Sequence, residues 1–361
     1  MRERIARDAI TLVIFDDELT PSQGKNIEDA VGQRVMDRAE LILDIFATRA
    51  RSREARMQVE LAQLEYMLPR LTRMWTHLEK FRGGIGVRGP GETQLETDRR
   101  LISHRIRVLK ERLEDVRRSR AVQRRSRSDQ FRAALVGYTN AGKSSLLRAL
   151  SGDRDVFVED RLFATLDTLT REVSLGAADR QHVLLTDTVG FIRKLPHHLV
   201  ASFRATLEEV IEADILLHVI DASHPSWEEQ RDVVDDVLAE LGARETPVLH
   251  VFNKVDLLTS DEREGLSARV TAMLPGSVLA SARIDGGTDA LREALAARLE
   301  RQRPATELRV PVRDGRLLAE VHRAGHVIEQ RAEGDDLVLV ARLDAVAVAR
   351  LQRAGAVVGS S

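Results

Sequence analysis

A chain of 361 residues has room for two to four domains of ordinary size, and its 55 Lys and Arg against 57 Asp and Glu leave a formal charge of −2. That balance excludes an overall polycation but leaves room for a local basic surface. Zero cysteines exclude disulfides and thiolate metal sites, and no run reaches the roughly 18–20 apolar residues of a membrane span, so the reading is a cytoplasmic monomer with no integral membrane association.

Met1-Arg2-Glu3-Arg4 leads into a short strand-like stretch rather than a signal peptide. Residues 10–15 read as a strand, and Thr20-Pro21-Ser22-Gln23 as a capped helix start with proline in the first turn. One strand and one helix cannot bury a sheet face. Asp16, Asp17 and Glu18 between them admit a metal site or, more plainly, a polar loop.

Met57, Leu61, Leu64, Leu68, Leu71, Trp75 and Leu78 recur at spacings of four and three, and so do Ile102, Ile106, Leu109, Leu113 and Val116. The two stretches predict an antiparallel helical hairpin whose first arm is kinked at Pro69, which lacks a backbone donor. The second arm carries Arg99, Arg100, Arg105, Arg107, Lys110, Arg112, Arg117, Arg118, Arg120, Arg124, Arg125 and Arg127. These admit a solvated helix face or a surface for RNA phosphates. Between the arms, residues 81–92 are dense in glycine. With Arg82 and Arg88, that tip either inserts among nucleotides or serves as a flexible linker.

Gly137-Tyr138-Thr139-Asn140-Ala141-Gly142-Lys143-Ser144 follows an apolar strand at 133–136 and precedes a helix-forming run at 145–150. In that context it predicts a phosphate-binding loop. Backbone N–H groups and the helix N-terminus face the phosphates, Lys143 reaches the β and γ oxygens, and the Ser144 hydroxyl ligates Mg2+. Leu162-Phe163-Ala164-Thr165-Leu166-Asp167-Thr168-Leu169-Thr170 reads as the segment ordered by γ-phosphate and Mg2+. Thr165 is preferred over Thr168 and Thr170 as the second Mg2+ ligand, although spacing alone does not decide among them. Asp187-Thr188-Val189-Gly190 ends the apolar run 183–185. There Asp187 can hold the metal through water and the Gly190 N–H can sense a γ-phosphate.

Asn253-Lys254-Val255-Asp256 ends the strand 248–252 and places a carboxylate at Asp256, which can accept from both guanine N1–H and the 2-amino group. Adenine has no such paired donors. Ser281-Ala282-Arg283 would add a backbone N–H to guanine O6. Lys143, Thr165 and Gly190 are the residues expected to act in hydrolysis. Phe191 stands where a Ras-type enzyme has a water-orienting glutamine, so intrinsic turnover is expected to be slow and to be assisted by another segment or a partner. Arg193, His197 and His198 lie close by, as catalytic aids or as an exposed face.

With these motifs in place, the chain resembles HflX, a ribosome-associated GTPase of the Obg-HflX group within the translation-factor-like GTPases. The resemblance rests on residues 137–144, on Phe163-Ala164-Thr165-Leu166-Asp167 and on residues 187–196. Outside that domain it rests on residues 15–21, 58–64 and 88–96. It implies Mg2+ ligands at Ser144 and Thr165, and a GTP-bound state that engages the large ribosomal subunit and its rRNA. It further implies a hairpin tip that reaches toward the peptidyl-transferase region, and a role in splitting or rescuing stalled ribosomes. The family usually carries a longer α/β portion ahead of residue 11, so the N-terminal piece is expected to be truncated, or its start to be placed late.

The expected architecture is α/β. A P-loop GTPase with a doubly wound, mostly parallel sheet (129–303) is preceded by the α/β remnant (1–30) and the hairpin (31–128, tip about 81–97), and is followed by a small α+β domain (304–361). In the last, strands are expected at 307–312, 326–331 and 336–343 and helices at 316–323 and 344–352. The alternative function is a nucleotide-switched scaffold or ribosome-assembly module with incidental turnover.

Overall fold

The computed structural model describes residues 1–71, 90–125, 130–153, 163, 165–175, 182–193, 209–302, 304–343 and 345–359. The chain groups into two compact units. One comprises Met1–Val173 and His182–Thr288, the other Ser174–Gln181 and Asp289–Ser361. No described helix is long and apolar enough to cross a membrane.

The first unit opens with helix α1 (Arg2–Arg7), strand β1 (Leu12–Ile14), helix α2 (Pro21–Val31), strand β2 (Arg34–Met36) and helix α3 (Arg38–Arg49). α2 starts as its sequence predicts: the Thr20 side chain accepts from Gln23 N while the Gln23 side chain accepts from Thr20 N. The sequence reading did not single out α1, β2 or α3. β2 pairs in parallel with β1, Leu12 opposite Arg34 and Ile14 opposite Met36, so the α/β piece has a second strand and a covering helix rather than one of each. A three-residue strand shows too little alternation to be seen. α3 did leave a signal: Asp37 caps it by accepting from Glu40 N, and Ala39, Ile42, Leu43 and Phe46 form one buried face. Asp16, in the loop between β1 and α2, pairs with Arg38.

Helix α4 (Arg53–Met67) begins at Ser52, whose side chain accepts from Ala55 N. It tightens into a 3-10 turn at Leu68–Arg70, and that turn holds Pro69. The missing donor is thus accommodated by a change of helix type. Helix α5 (Pro90–Arg125) starts inside the segment expected to form the tip loop. Proline at a first helical position sacrifices no hydrogen bond, because that N–H would be unpaired anyway. The arms meet where their stripes predicted, at Leu61, Leu109 and Leu113, flanked by Met57, Leu64 and Ile106. Arg105–Glu60 and Lys110–Glu65 ion pairs, each at 2.7 Å, border the seam. Trp75, Leu78, Arg82, Arg88, the tip up to residue 89 and Arg127 lie outside the described residues, as do the side chains of Arg120, Arg124 and Arg125.

A six-stranded sheet follows, built from β3 (Arg132–Gly137), β4 (Leu169–Ser174), β5 (His182–Asp187), β6 (Ile215–Asp221), β7 (Val248–Asn253) and β8 (Val278–Leu279). Its order is β4-β5-β3-β6-β7-β8, and β5, β3, β6, β7 and β8 run parallel. Such strands are buried on both faces, which is why β3 reads as a continuous apolar run and β6 as one interrupted by the buried His218. Helix α6 (Lys143–Ser151) follows β3, α7 (Trp227–Glu240) follows β6 and α8 (Ser260–Met273) follows β7. One core joins the two parts of this unit: Ile42, Leu43 and Phe46 of α3 and Val59, Ala62 and Tyr66 of α4 pack with Phe163, Leu166, Val189, Phe191 and Ile192.

The second unit contains α9 (Asp289–Gln302), β9 (Ala305–Pro311), α10 (Gly315–Ala324), β10 (His326–Glu333), β11 (Asp336–Arg342), α11 (Ala345–Arg353) and β12 (Val357–Val358). Its sheet is antiparallel, ordered β10-β11-β9-β12. Leu308, Val310, Leu339 and Ala341 pack with Leu317, Val321 and Leu351. These strands and helices match the α+β pattern expected from residue 304 onward, and β12 is an addition.

Candidate functional site

In an open parallel sheet, a ligand crevice forms at the carboxyl ends of the strands where the strand order reverses. Here that place is the end of β3, between β5 and β6. Gly137, Asp187, Asp221 and Asn253 each end one of four neighbouring strands, β3, β5, β6 and β7.

The phosphate loop leaves β3 through Gly137 at φ 150, where a β-carbon would lie 2.3 Å from the Val219 carbonyl oxygen. It turns through Asn140 (φ 62) and Gly142 (φ 94) into α6, whose N-terminus therefore faces the crevice. Lys143 is buried, and its Nζ donates to the carbonyls of Gly137 at 3.1 Å and Tyr138 at 2.9 Å. Burial pulls its pKa down to about 8, against a counter-pull from Asp187. Among the described residues, the Thr139 hydroxyl in the same loop is buried without a hydrogen-bond partner.

Three side-chain oxygens converge beside the loop. Ser144 Oγ lies 2.6 Å from Asp187 Oδ2 and 2.7 Å from Thr165 Oγ1, and Thr165 Oγ1 donates to the same Oδ2 at 3.1 Å. Burial pushes the Asp187 carboxyl up, with Lys143, Ser144 and Thr165 pulling it back. The Thr188 N–H also pulls it down, and among the described residues its Oδ1 is buried with no hydrogen-bond partner. An orphaned carboxylate oxygen beside two hydroxyls is a donor set of the kind a hard divalent cation takes, so these residues fit Mg2+. Of the candidate threonines, Thr165 is brought to this cluster, whereas Thr170 shares a 2.9 Å hydrogen bond with Thr186.

The segment after Asp187 is held against the phosphate loop. Thr139 N donates to Phe191 O at 2.8 Å, Phe191 N to Gly137 O at 3.1 Å, and Thr188 Oγ1 to Leu135 O at 2.6 Å. Gly190 sits so close that a β-carbon would lie 2.8 Å from Thr139 Cα and 3.0 Å from Lys143 Nζ. Phe191 is 1% exposed and packs into the shared core with Val189 and Ile192. Arg193 N donates to the Tyr138 hydroxyl at 3.2 Å, and its guanidinium reaches Glu229 at 3.5 Å. Ala164, Leu162, His197 and His198 lie outside the described residues.

At the far end of the crevice, Asn253 is buried and donates from Nδ2 to Ala141 O at 2.9 Å. Lys254, in the left-handed conformation (φ 66), extends to Asp221 Oδ2 at 2.7 Å. Asp256 is exposed in the 3-10 turn Val255–Leu257, and one of its oxygens accepts from Ser281 Oγ at 2.6 Å. The backbone N–H groups of Ser281, Ala282 and Arg283 are engaged with Gly287 O (2.8 Å), Asn253 Oδ1 (3.3 Å) and Ser281 Oγ (3.2 Å).

Sequence reasoning missed Asp221, whose only local signal is its place at a strand end. It also missed the partners of Asp167. That residue was expected among the nucleotide contacts, but its carboxylate accepts from Arg51 N at 3.2 Å, from Ser52 N at 3.1 Å and from the Ser52 hydroxyl.

A phosphate loop on the central strand of a parallel sheet, followed by two further strand-end motifs around the same crevice, defines a P-loop GTPase. The chain is 48% identical to the GTPase HflX of Magnetococcus marinus over 98% of its own length and 81% of that protein's. It is 45% identical to the GTPase HflX of Escherichia coli K12, with 93% and 78% covered. It belongs to the HflX family of GTPases and hydrolyses GTP. Family models described as GTP-binding GTPase N-terminal, GTP-binding GTPase middle region and 50S ribosome-binding GTPase match residues 1–47, 49–127 and 132–254. A solved GTP-binding protein from Sulfolobus solfataricus in complex with GDP aligns over 82% of this chain and 83% of that one, at 25% identity and a TM-score of 0.45.

Proposed function

We propose that the GTP-loaded protein engages the large ribosomal subunit through its helical hairpin, acts there in splitting or rescuing stalled ribosomes, and leaves when GTP is hydrolysed. The observation that carries the nucleotide half of this reading is the convergence of Ser144, Thr165 and Asp187 beside Lys143. In it, residues 137–143 wrap the phosphates through backbone N–H groups, and Lys143 exchanges its two loop carbonyls for phosphate oxygens. Ser144 and Thr165 would ligate Mg2+ directly, and Asp187 would hold it through water. Bound Mg2+ supplies charge neutralisation at the β and γ oxygens. Gly190 N–H reports the γ-phosphate, and Asp256 accepts from the guanine edge. Ala282 N, whose present bond at 3.3 Å is the longest of the three, is the donor that turns to guanine O6.

The ribosomal half rests on the description of the matched family, a 50S ribosome-binding GTPase, and on α5. Arg99, Arg100, Arg107, Lys110, Arg112 and Arg118 are exposed along that helix, and surface cations of this kind neutralise RNA phosphates. The buried Phe191 favours a second reading, a nucleotide-switched scaffold with incidental turnover, because a phenyl ring in a core cannot orient water.

GTP turnover of the protein alone, with purified large subunits, and as an Arg82→Ala/Arg88→Ala variant separates the two, with Lys143→Ala as the inactive control. Stimulation by the subunit, toward the roughly 10³–10⁵-fold that assistance in trans can supply, supports a ribosome-activated enzyme, and weakening by the tip variant places engagement at the tip. Tight GTP binding without stimulation leaves the scaffold.

A further inference from the structure

Phe163, Leu166 and Asp167, which flank Thr165 in the chain, are fixed by contacts away from the phosphate site. Phe163 is 3% exposed and meets Phe46 of α3 edge-to-face, ring centroids 4.7 Å apart. Leu166 is 2% exposed in the core shared with α3 and α4. Asp167 lies across the N-terminus of α4, where it takes the backbone N–H groups of Arg51 and Ser52 and the Ser52 hydroxyl. Ser52 is at the same time the N-cap of α4, accepting from Ala55 N at 3.0 Å. A carboxylate at that position gains from the partial positive charge of a 15-residue helix as well as from charge-assisted hydrogen bonds.

We propose that Asp167 is a positioning residue for GTP hydrolysis: its bonds to the capped start of α4 set where Thr165 stands, so that the first arm of the hairpin and the γ-phosphate site move as one. The inference rests on reading Thr165 as a ligand for Mg2+ in the GTP state. Two backbone steps separate Asp167 from Thr165, and buried Leu166 between them allows little slack, so a shift of the α4 start is passed to the Thr165 hydroxyl. Arg38 at the start of α3 donates to Arg193 O at 2.8 Å, a second tie between the same N-terminal helices and the segment after Gly190.

The test uses the full chain and five variants: Ser52→Ala, Ser52→Thr, Asp167→Asn, Thr165→Ala and the Ser52→Ala/Asp167→Asn double. Three quantities are measured: GDP affinity, affinity for a non-hydrolysable GTP analogue in Mg2+, and the Mg2+ concentration for half-maximal GTP turnover. Ser52→Ala and Asp167→Asn are expected to lower the preference for the analogue over GDP by about tenfold, equivalent to about 1.4 kcal/mol. They raise the Mg2+ midpoint and leave GDP affinity within about twofold, since the phosphate loop and base pocket are untouched. Ser52→Thr, which keeps hydroxyl and cap, restores the wild-type preference. The Ser52→Ala/Asp167→Asn double variant loses less than the two single losses combined, as residues that share a hydrogen bond require.

Failure of Thr165→Ala to move the Mg2+ midpoint removes the ligand reading, and the proposal with it. If Thr165→Ala moves the midpoint but Ser52→Ala and Asp167→Asn do not, the ligand reading stands and the positioning role is overturned. It is equally overturned if both variants weaken GDP and analogue alike, because that is the signature of a merely structural cap.

Discussion

Asn253 Nδ2 donates to the carbonyl oxygen of Ala141 at 2.9 Å, so the strand end assigned to the base and the loop assigned to the phosphates are one hydrogen-bonded piece. Gly142 is what lets them approach. A β-carbon there would fall 2.2 Å from Asn253 Nδ2, at a φ of 94 that costs a side chain about 1–2 kcal/mol. Gly142→Ala is therefore expected to lose GTP and GDP together and to melt earlier. Equilibrium titration with labelled GDP and a urea unfolding curve check both effects.

Asp256 offers its carboxylate from an exposed turn, with one oxygen steadied by Ser281 Oγ at 2.6 Å. Asp256→Asn replaces a charged double acceptor with a group half donor and half acceptor. GTP affinity should fall about ten- to a hundredfold, the worth of hydrogen bonds to a charged group. Xanthosine triphosphate should gain, because a carbonyl stands where guanine has its 2-amino donor. Competition between the two nucleotides for the variant is the measurement.

Lys143 has a pKa of about 8 in the free protein, against an ordinary 10.5, and a bound phosphate pulls it back toward the charged form. Between those two pH values binding must take up a proton, so nucleotide affinity should decline by up to about tenfold per pH unit above pH 8. Calorimetry in buffers of different ionisation enthalpy reads that proton directly. The stability of the free protein runs the other way. Its native state holds fewer protons than the unfolded chain in this window, so the contribution of Lys143 rises with pH and is least favourable below 8.

Asp37 joins four pieces of the N-terminal region. It caps α3, accepts from Leu19 N at 3.0 Å and from the Tyr66 hydroxyl at 2.9 Å, and pairs with Arg70 at 3.4 Å while 3% exposed. The Arg70 guanidinium also lies 3.6 Å from the Tyr66 ring centroid. Burial, followed by the charge of Asp37, pushes the Tyr66 hydroxyl well above its usual range, so it remains a donor at any working pH. Asp37→Ala should destabilise the first unit by about 3–5 kcal/mol, as when one partner of a buried ion pair is removed. Tyr66→Phe should cost about 1 kcal/mol. Urea unfolding with GDP affinity measured in parallel separates these losses from damage to the nucleotide site.

The parts legible in the sequence were those whose chemistry is local. Gly137 to Ser144, Asp187 to Gly190 and Asn253 to Asp256 each announce themselves as a short motif at the end of an apolar run, and the parallel sheet carries all three to one rim. The Leu61, Leu109 and Leu113 seam was legible for a similar reason, since a four-three stripe is a property of one helix. What stayed hidden was which face meets which. Ser52 and Asp167 are 115 residues apart, and Arg38 and Arg193 are 155 apart. Periodicity says that a face of α3 is buried, but it does not say that Phe163 is what covers Phe46.

Phe191 binds the phosphate loop through its own N–H and carbonyl and fills the core beneath it with its ring. Placing a glutamine there would bury an amide in hydrocarbon, at about 1–3 kcal/mol, and would leave the volume of the ring empty. The position cannot be handed over to chemistry without loosening the wall that shapes the site. In this chain position 191 serves as masonry: its ring is a stone of the wall, set where no reacting group could take its place without a breach.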